Sequence, residues 1–232
     1  MEFKIQIIEE LFKYILIYSY LLLPIVFFIS KSKRVKPIAV IALYGFLFFT
    51  LLFFYTDIPK EYRKLYQSVY TSFEYTFFAF FIWFYIKDNK ARKLILLFSI
   101  LFFSFQIIHF VMTKLQKLDS IAIGVETILL FSFIFIYFRQ FFKVNSAKNI
   151  YEYPSFWLTV GILIYLGCGF FFNILVSYIP QQQFDELWHF TYIPEIIKNI
   201  LFAMIIIGFP SQMIEHSTQS QKTKDIPNLD II

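Results

Sequence analysis

Seven polar or ionisable residues lie inside long apolar stretches of this chain, and their types could bind a ligand or transfer protons. They are Glu74, Gln106, His109, Glu126, Asn173, Glu195 and Lys198. A charged side chain in hydrocarbon costs at least ~2.5 kcal/mol, so such residues generally mark a binding site, an ion pathway or a proton relay. These seven residues and Trp188, which precedes Glu195 in the last apolar stretch, are our predicted ligand-binding residues.

The apolar stretches that carry these residues are each close to the ~20 residues that a helix needs to cross a bilayer. The predicted spans are 11–30, 38–56, 66–86, 94–113, 119–138, 155–178 and 187–209. The chain has 232 residues, is 59% hydrophobic and has a mean hydropathy of +0.65, which is more apolar surface than a soluble domain of this length can bury. Continuous apolar runs indicate helices rather than the alternating strands of a barrel.

We therefore predict an all-α, polytopic membrane protein, in which residues 1–210 form a bundle of seven transmembrane helices. The polar tail, 211–232, is expected to be cytoplasmic and disordered. Lys and Arg are unevenly divided between the two sides of such a bundle, thirteen against seven. The positive-inside rule then places the N-terminus outside and the C-terminus inside a plasma (inner) membrane. The expected partner is the lipid bilayer, and nucleic acid is not expected, since the basic residues lie at helix ends.

The depth of the polar residues within the predicted spans indicates what they do. Glu74, Glu126 and Glu195 each lie about eight residues below the outer end of a helix, or ~12 Å. Polar groups from five helices thus collect in the outer half, whereas the inner half is Phe, Leu and Ile. This asymmetry favours an outward-facing pocket, and the first two helices are expected to be peripheral. Glu195 and Lys198, three residues apart, are expected to neutralise one another.

Structural roles are the alternative for several of these residues. Buried polar side chains often join helices by hydrogen bonds worth ~0.6 kcal/mol each, and we favour this role for Asn173 and Gln106. The segment Gly167-Cys168-Gly169 is predicted to be a small-residue packing surface, and a single cysteine excludes an intrachain disulfide. Glu74 and Glu126 share a pattern of Ser, five residues, Glu, ten residues, Tyr, which either reflects a parallel repeat or arose by chance.

Few sequence motifs of known metal-binding or catalytic sites are present in the chain. His109 is the only histidine well inside a span, and neither an H-E-x-x-H motif nor a cysteine pair accompanies it, so no metal or cofactor is predicted. No G-x-S-x-G motif is present, and no catalytic residue is assigned. Lys198 on a seventh helix resembles the Schiff-base lysine of microbial rhodopsins, but the sequence after Glu74 lacks the Arg-Tyr and Asp-Trp pairs of that family.

The stretch Ile196–Phe202, together with seven helices and an outer N-terminus, resembles small bacterial seven-helix membrane proteins of the sensory type. The resemblance implies a non-enzymatic receptor-like module that binds a small ligand from the outer face or outer leaflet and signals through a separate partner protein. One alternative is a proton- or ion-coupled small-molecule transporter, favoured by Pro194 as a helix interruption beside Glu195. Another is a lipid-active membrane enzyme that uses His109 as a proton shuttle.

Overall fold

The computed structural model describes residues 2–30, 36–112, 120–144, 153–176 and 191–208, and the regular structure within these ranges is helical. The α-helices are α1 (Glu2–Ile29), α2 (Lys36–Phe54), α3 (Arg63–Tyr85), α4 (Asn89–Met112), α5 (Ser120–Val144), α6 (Pro154–Val176) and α7 (Tyr192–Gly208). Two short 3-10 segments, Tyr55–Asp57 and Lys60–Tyr62, connect α2 to α3. The all-helical prediction is confirmed. The predicted disordered tail, 211–232, lies outside the described residues.

Four of these helices contain segments long and apolar enough to cross a membrane. The segments are Glu10–Ile29, Pro37–Phe54, Asn89–Met112 and Ile121–Lys143. They coincide with the first, second, fourth and fifth predicted spans, which supports a multi-pass membrane protein. The helix α3 is less apolar because its first half carries basic residues, Tyr, Gln, Ser and Glu. The described apolar part of α6, Pro154–Phe170, is shorter, and α7 is described over only 17 residues.

The helices α1 and α2 each turn one face toward the interior of the bundle. The helix α1 packs against α2 and α7, α6 packs against α7 and α5, and α3 packs against α4 and α5. Tyr20 on α1 and Tyr44 on α2 are both fully buried. The prediction that the first two helices are peripheral is therefore wrong. It considered mainly ionisable side chains, whereas α1 and α2 contribute tyrosine hydroxyl groups to the interior.

Aromatic side chains fill the core between these helices, and aliphatic side chains cover much of the outside. Phe48, Phe78 and Phe202 are fully buried in one hydrophobic cluster. The helix α4 lies at the edge of the bundle, since only 17% of its apolar segment is buried. Its exposed residues include Leu97 and Ile100. An apolar surface of this extent is suited to contact with lipid rather than with water.

The position of Glu74 along its helix differs from the sequence-based expectation. The helix α3 begins at Arg63, three residues before the predicted span, so Glu74 lies midway along its 23 residues. Tyr165 likewise lies midway along the 23-residue α6. Hydropathy missed the polar beginning of α3 because Arg63, Lys64 and Gln67 lower the local average. Glu74 is therefore central in α3 and not eight residues from its beginning.

Gly45 marks the closest approach of α1 and α2. A Cβ atom added at Gly45 would lie 2.6 Å from Leu23 Cβ and 2.7 Å from the Tyr20 carbonyl oxygen. Glycine is required here because any side chain would separate the two helices next to Tyr20 and Tyr44.

The expected packing surface on α6, Gly167-Cys168-Gly169, has one ordinary contact among the described residues. A Cβ atom at Gly167 would lie 3.9 Å from Phe131 Cζ on α5, and Cys168 is exposed. Close packing at this surface therefore stays a prediction. Another glycine of α6, Gly161, faces α7, where a Cβ atom would lie 3.5 Å from side-chain atoms of Leu201 and Phe202.

We expect Gly45→Ala to lower the thermal stability of the protein in detergent. Overpacking costs typically ~1–3 kcal/mol, which exceeds the ~1 kcal/mol that alanine gains over glycine in helix propensity. Gly124→Ala is the matched control, because a Cβ atom there meets no atom within 4 Å. The control should melt at or above the wild-type temperature. Equal melting temperatures for the two variants would contradict a close approach at Gly45.

Candidate functional site

Lys198 is the fully buried centre of the candidate site, with 0% exposure. Its ammonium donates hydrogen bonds to the Tyr44 hydroxyl at 2.6 Å and to the Tyr20 hydroxyl at 3.3 Å. The Glu74 carboxylate oxygen Oε1 lies 3.8 Å from Nζ. An isolated ammonium is very unfavourable in an apolar interior, so these oxygen atoms replace the water that Lys198 lacks.

Four aromatic rings surround the same ammonium. Nζ lies 4.0 Å from the ring centroid of Tyr165 and 5.1, 5.2 and 5.3 Å from those of Tyr44, Phe78 and Tyr20. The Tyr165 ring is the nearest, and a cation–π contact at such a distance is worth ~2 kcal/mol or more when it is removed from water. Tyr44 and Tyr20 instead present their hydroxyl groups to the ammonium, so Nζ lies beyond the hydroxyl edge of those two rings.

Glu195 is bound by tyrosines rather than by the lysine one turn away. Its Oε1 accepts a short hydrogen bond from Tyr20 and a second one, at 2.8 Å, from Tyr70. Among the described residues, the carboxylate within 4.0 Å of Lys198 is that of Glu74 on α3. The expected pairing of Glu195 with Lys198 is thus replaced by an interhelical pair. Residue spacing along α7 places the two side chains on one face but does not determine which neighbour each side chain reaches.

Two more carboxyl groups complete the cluster around Lys198. Glu74 accepts a hydrogen bond from Tyr165 at 3.0 Å through Oε2, while its Oε1 has no hydrogen-bond partner among the described residues. Glu126 on α5 is 3% exposed, and its Oε1 also lacks a described partner. The helix α5 that carries Glu126 packs against α3. The core thus combines one buried ammonium with three buried carboxyl groups, and Glu74 is the one within 4.0 Å of Lys198 among the described residues.

We use the name charge cluster for the seven side chains that these contacts join, together with Glu126 on the adjacent helix α5. They are Tyr20, Tyr44, Tyr70, Glu74, Glu126, Tyr165, Glu195 and Lys198. They come from α1, α2, α3, α5, α6 and α7, so six helices contribute to the cluster. Lys198, Asn199 and Phe202 are fully buried on one face of α7. Asn199 also joins α7 to α1 through a hydrogen bond to Ser19 Oγ at 2.9 Å.

Gln106 lies apart from the charge cluster, between α4 and α3. Its amide nitrogen donates to the Ser68 carbonyl oxygen at 3.0 Å, and its Oε1 accepts from Ser72 Oγ at 3.0 Å. These groups line a groove of about 200 Å³ together with apolar side chains such as Phe103. The side-chain amide is therefore occupied in joining two helices, which agrees with the structural role favoured from the sequence.

The other predicted ligand-binding residues are placed less fully. His109 is half-buried on α4, where its ring packs against Phe105 at a centroid distance of 5.6 Å. The described contacts around Lys198 come from other residues. Asn173 belongs to α6, but its side chain lies outside the described part of the chain, as does the whole of Trp188.

Four tyrosines of the charge cluster were missed by the sequence analysis. They are Tyr20, Tyr44, Tyr70 and Tyr165. Tyrosine in membrane proteins is enriched at the two interfaces with water. Tyr20, Tyr44 and Tyr165 lie instead in the middle of apolar spans, where a hydroxyl group needs an internal partner. That position was a signal for a buried polar site, although it does not identify the partner.

The chemistry available to the charge cluster is the exchange of protons or small cations. Within the described ranges, no three His, Cys, Asp or Glu side chains are grouped as a metal site. Carboxyl and phenol groups bind protons and hard cations through oxygen, and the tyrosine hydroxyl groups can donate or accept hydrogen bonds. Comparison with known proteins adds no family to this description, because no protein-family model, curated protein or solved structure matches the chain.

We expect Lys198→Met to reduce the free energy of unfolding by about 3–5 kcal/mol, as is typical when one partner of a buried pair is removed. The Glu74 carboxyl would then lie in an apolar interior without its cation. Adding Glu74→Gln removes that carboxylate, so the double variant should be more stable than Lys198→Met alone. Thermal unfolding of the two single variants and the double variant measures this coupling. Strictly additive losses would show that the two side chains do not stabilise one another.

Proposed function

We propose that the protein is a seven-helix sensor of the plasma (inner) membrane, and that the charge cluster is the element that changes state. The observation that carries this proposal is the excess of carboxyl groups over basic groups at a sealed point where six helices meet. A sensor of this kind binds without turnover, and passes a change in helix packing to a separate protein.

The charge of the cluster supports a two-state element. Lys198 can neutralise one carboxylate, and the described residues hold no second basic group in contact with it. Glu74, Glu126 and Glu195 are all less than 10% exposed, so full ionisation would leave two uncompensated negative charges away from water. Such charges are too costly to persist in an apolar interior. The cluster therefore exists in states that differ in bound protons or cations, and a stimulus can favour one of them.

The contacts of the cluster explain how such a change would reach the helix ends. Tyr20 and Tyr165 donate hydrogen bonds to carboxyl groups, and Tyr44 accepts one from the ammonium, so α1, α2 and α6 are tied to α3 and α7. Loss of any one charge changes several of these contacts together. Packed interfaces respond to such changes by switching between discrete arrangements.

Helix continuity favours a sensor over a transporter. Transporter sites are usually built at interrupted helices, whereas α3 and α6 run without a break past Glu74 and Tyr165. Pro194 lies in the first turn of α7, which begins at Tyr192, and proline is tolerated there because the first backbone N–H groups of a helix have no internal partner. It therefore does not interrupt the helix beside Glu195.

A proton- or ion-coupled transporter is the second candidate, and one observation favours it. Glu74 and Tyr165 lie midway along their helices. Transporters bind their coupling ions near the bilayer midplane, where this position would fall if α3 and α6 cross the membrane. The two candidates differ in flux, which a sensor does not require.

For the sensor in proteoliposomes, we expect no proton flux, and we expect the distance between α2 and α6 to change with pH. An entrapped pH dye reports flux after an acid jump. Spin labels on exposed Cys168 of α6 and on Leu43→Cys of α2 report distance. The distance should change between about pH 8 and pH 6 and should change less in Glu74→Gln. Proton flux that exceeds that of empty liposomes and disappears in Glu74→Gln would instead establish a transporter.

For the orientation, we expect an outer N-terminus and an inner C-terminus. Alkaline phosphatase is active only outside the cytoplasm, so a fusion after residue 232 should be inactive. A fusion after residue 186, between the sixth and seventh predicted spans, should be active and serves as the control. The reverse pattern of activity would contradict the proposed orientation.

A further inference from the structure

We propose that Glu74 and Glu126 together bind one additional small monovalent cation, a proton or Na⁺, and that this binding is the stimulus of the cluster. The inference rests on the proposed sensor for its role as a stimulus, whereas the binding itself can be tested independently. Either cation would neutralise the carboxyl pair by binding to its oxygen atoms.

Unpartnered oxygen atoms on both residues point to such a ligand. Glu74 and Glu126 are 6% and 3% exposed, and Oε1 of each has no hydrogen-bond partner among the described residues. Buried carboxyl oxygens are rarely left without a partner. A proton or a cation bound by these two oxygen atoms would satisfy both.

Lys198 cannot supply the missing partner. An ammonium has three hydrogen atoms, and two of them are directed to the hydroxyl groups of Tyr44 and Tyr20. The third can face Glu74 Oε1 at 3.8 Å or the Tyr165 ring at 4.0 Å. No hydrogen atom remains for Glu126, so its carboxyl group has electrostatic contact with Lys198 without a direct bond.

The two helices that carry the carboxyl pair, α3 and α5, pack against each other, and the repeated pattern places Glu74 and Glu126 at equivalent positions within it. The third and fifth predicted spans run in the same direction across the membrane. Equivalent positions on two parallel neighbours lie at similar depths, so the pattern favours carboxyl groups at one level, whether or not it arose by duplication.

The titratable groups around this pair come from five of the described helices. They are Tyr20 from α1, Tyr44 from α2, Tyr70 and Tyr75 from α3, Tyr165 from α6, and Glu195 and Lys198 from α7. Glu195 accepts hydrogen bonds from two tyrosines, so its oxygen atoms are better satisfied than those of Glu126. The additional positive charge is therefore assigned to Glu74 and Glu126.

Thermal unfolding of the full chain in detergent tests the proposal in two series. The first series replaces choline chloride by NaCl at constant ionic strength and constant pH. The second lowers the pH from about 8 to about 6 without Na⁺. Binding to the folded state alone should raise the melting temperature by roughly 3–5 °C for each tenfold rise in the free cation concentration above the dissociation constant. A response to Na⁺ identifies Na⁺, and a response only to pH identifies the proton.

Glu126→Gln should flatten whichever response the wild type shows, because the amide cannot bind the cation. Glu61→Gln, at an exposed position before α3, is the matched control and should keep the wild-type response. If Glu126→Gln does not fold, Glu74→Gln replaces it. Infrared spectra of the wild type give a second measurement, since a protonated carboxyl group has a distinct carbonyl band. Addition of Na⁺ should remove that band if Na⁺ binds, and a rise in pH should remove it if the proton binds.

A wild-type melting temperature that is flat in both series overturns the proposal, as does an unchanged response in Glu126→Gln. Failure of the cation proposal leaves the test of the sensor intact, because that test measures proton flux and the pH-dependent distance between α2 and α6. Conversely, proton flux would overturn the sensor while a cation response that depends on Glu126 would still establish the binding site.

Discussion

The burial of one ammonium group is the constraint on which the rest of this structure depends. Lys198 is surrounded by protein on all sides, and its charge must be stabilised without water. The hydroxyl groups of Tyr20 and Tyr44 and the carboxylate of Glu74 supply oxygen atoms, and aromatic rings cover the remaining directions. Because these groups come from different helices, the solvation of a single charge also determines how the helices are arranged. Hydrophobic burial alone would not specify that arrangement, since lipid competes equally well for apolar side chains.

Much of the candidate site could be predicted from the depth of ionisable residues, but the pairing could not. Glu74, Glu195 and Lys198 were recognised because charged groups are rare in apolar spans. The partner of Lys198 was misassigned because spacing along one helix defines a face and not the neighbour that the face meets. Tyrosines were overlooked because their polarity is small beside that of a carboxylate. Their hydroxyl groups nevertheless bring α1 and α2 into the interior, which reverses the expected arrangement of those helices.

The helical class of the fold follows from composition, whereas the ends of the helices do not. Long apolar runs can satisfy their backbone only as helices or barrels in lipid, and the runs were too long for strands. Hydropathy, however, averages over a window and discounts a polar first turn. The residues Arg63 to Leu65, which include two basic side chains, were therefore left outside the third span, and Glu74 was placed too near a helix end. The same limitation concealed Gly45, because close backbone approach depends on what the neighbouring helix presents.

The late position of Lys198 in the chain has a consequence for biogenesis. A chain is synthesised from its N-terminus, so the helices that carry Glu74 and Glu126 are made before α7 is complete. The carboxyl groups of these residues therefore exist for a time without the cation that later accompanies them. Lys198 joins them only after all of its aromatic and hydroxyl partners have been synthesised. The charge cluster is thus completed by the last of the described helices, and a chain truncated before α7 would keep the carboxyl groups of Glu74 and Glu126 without an ammonium.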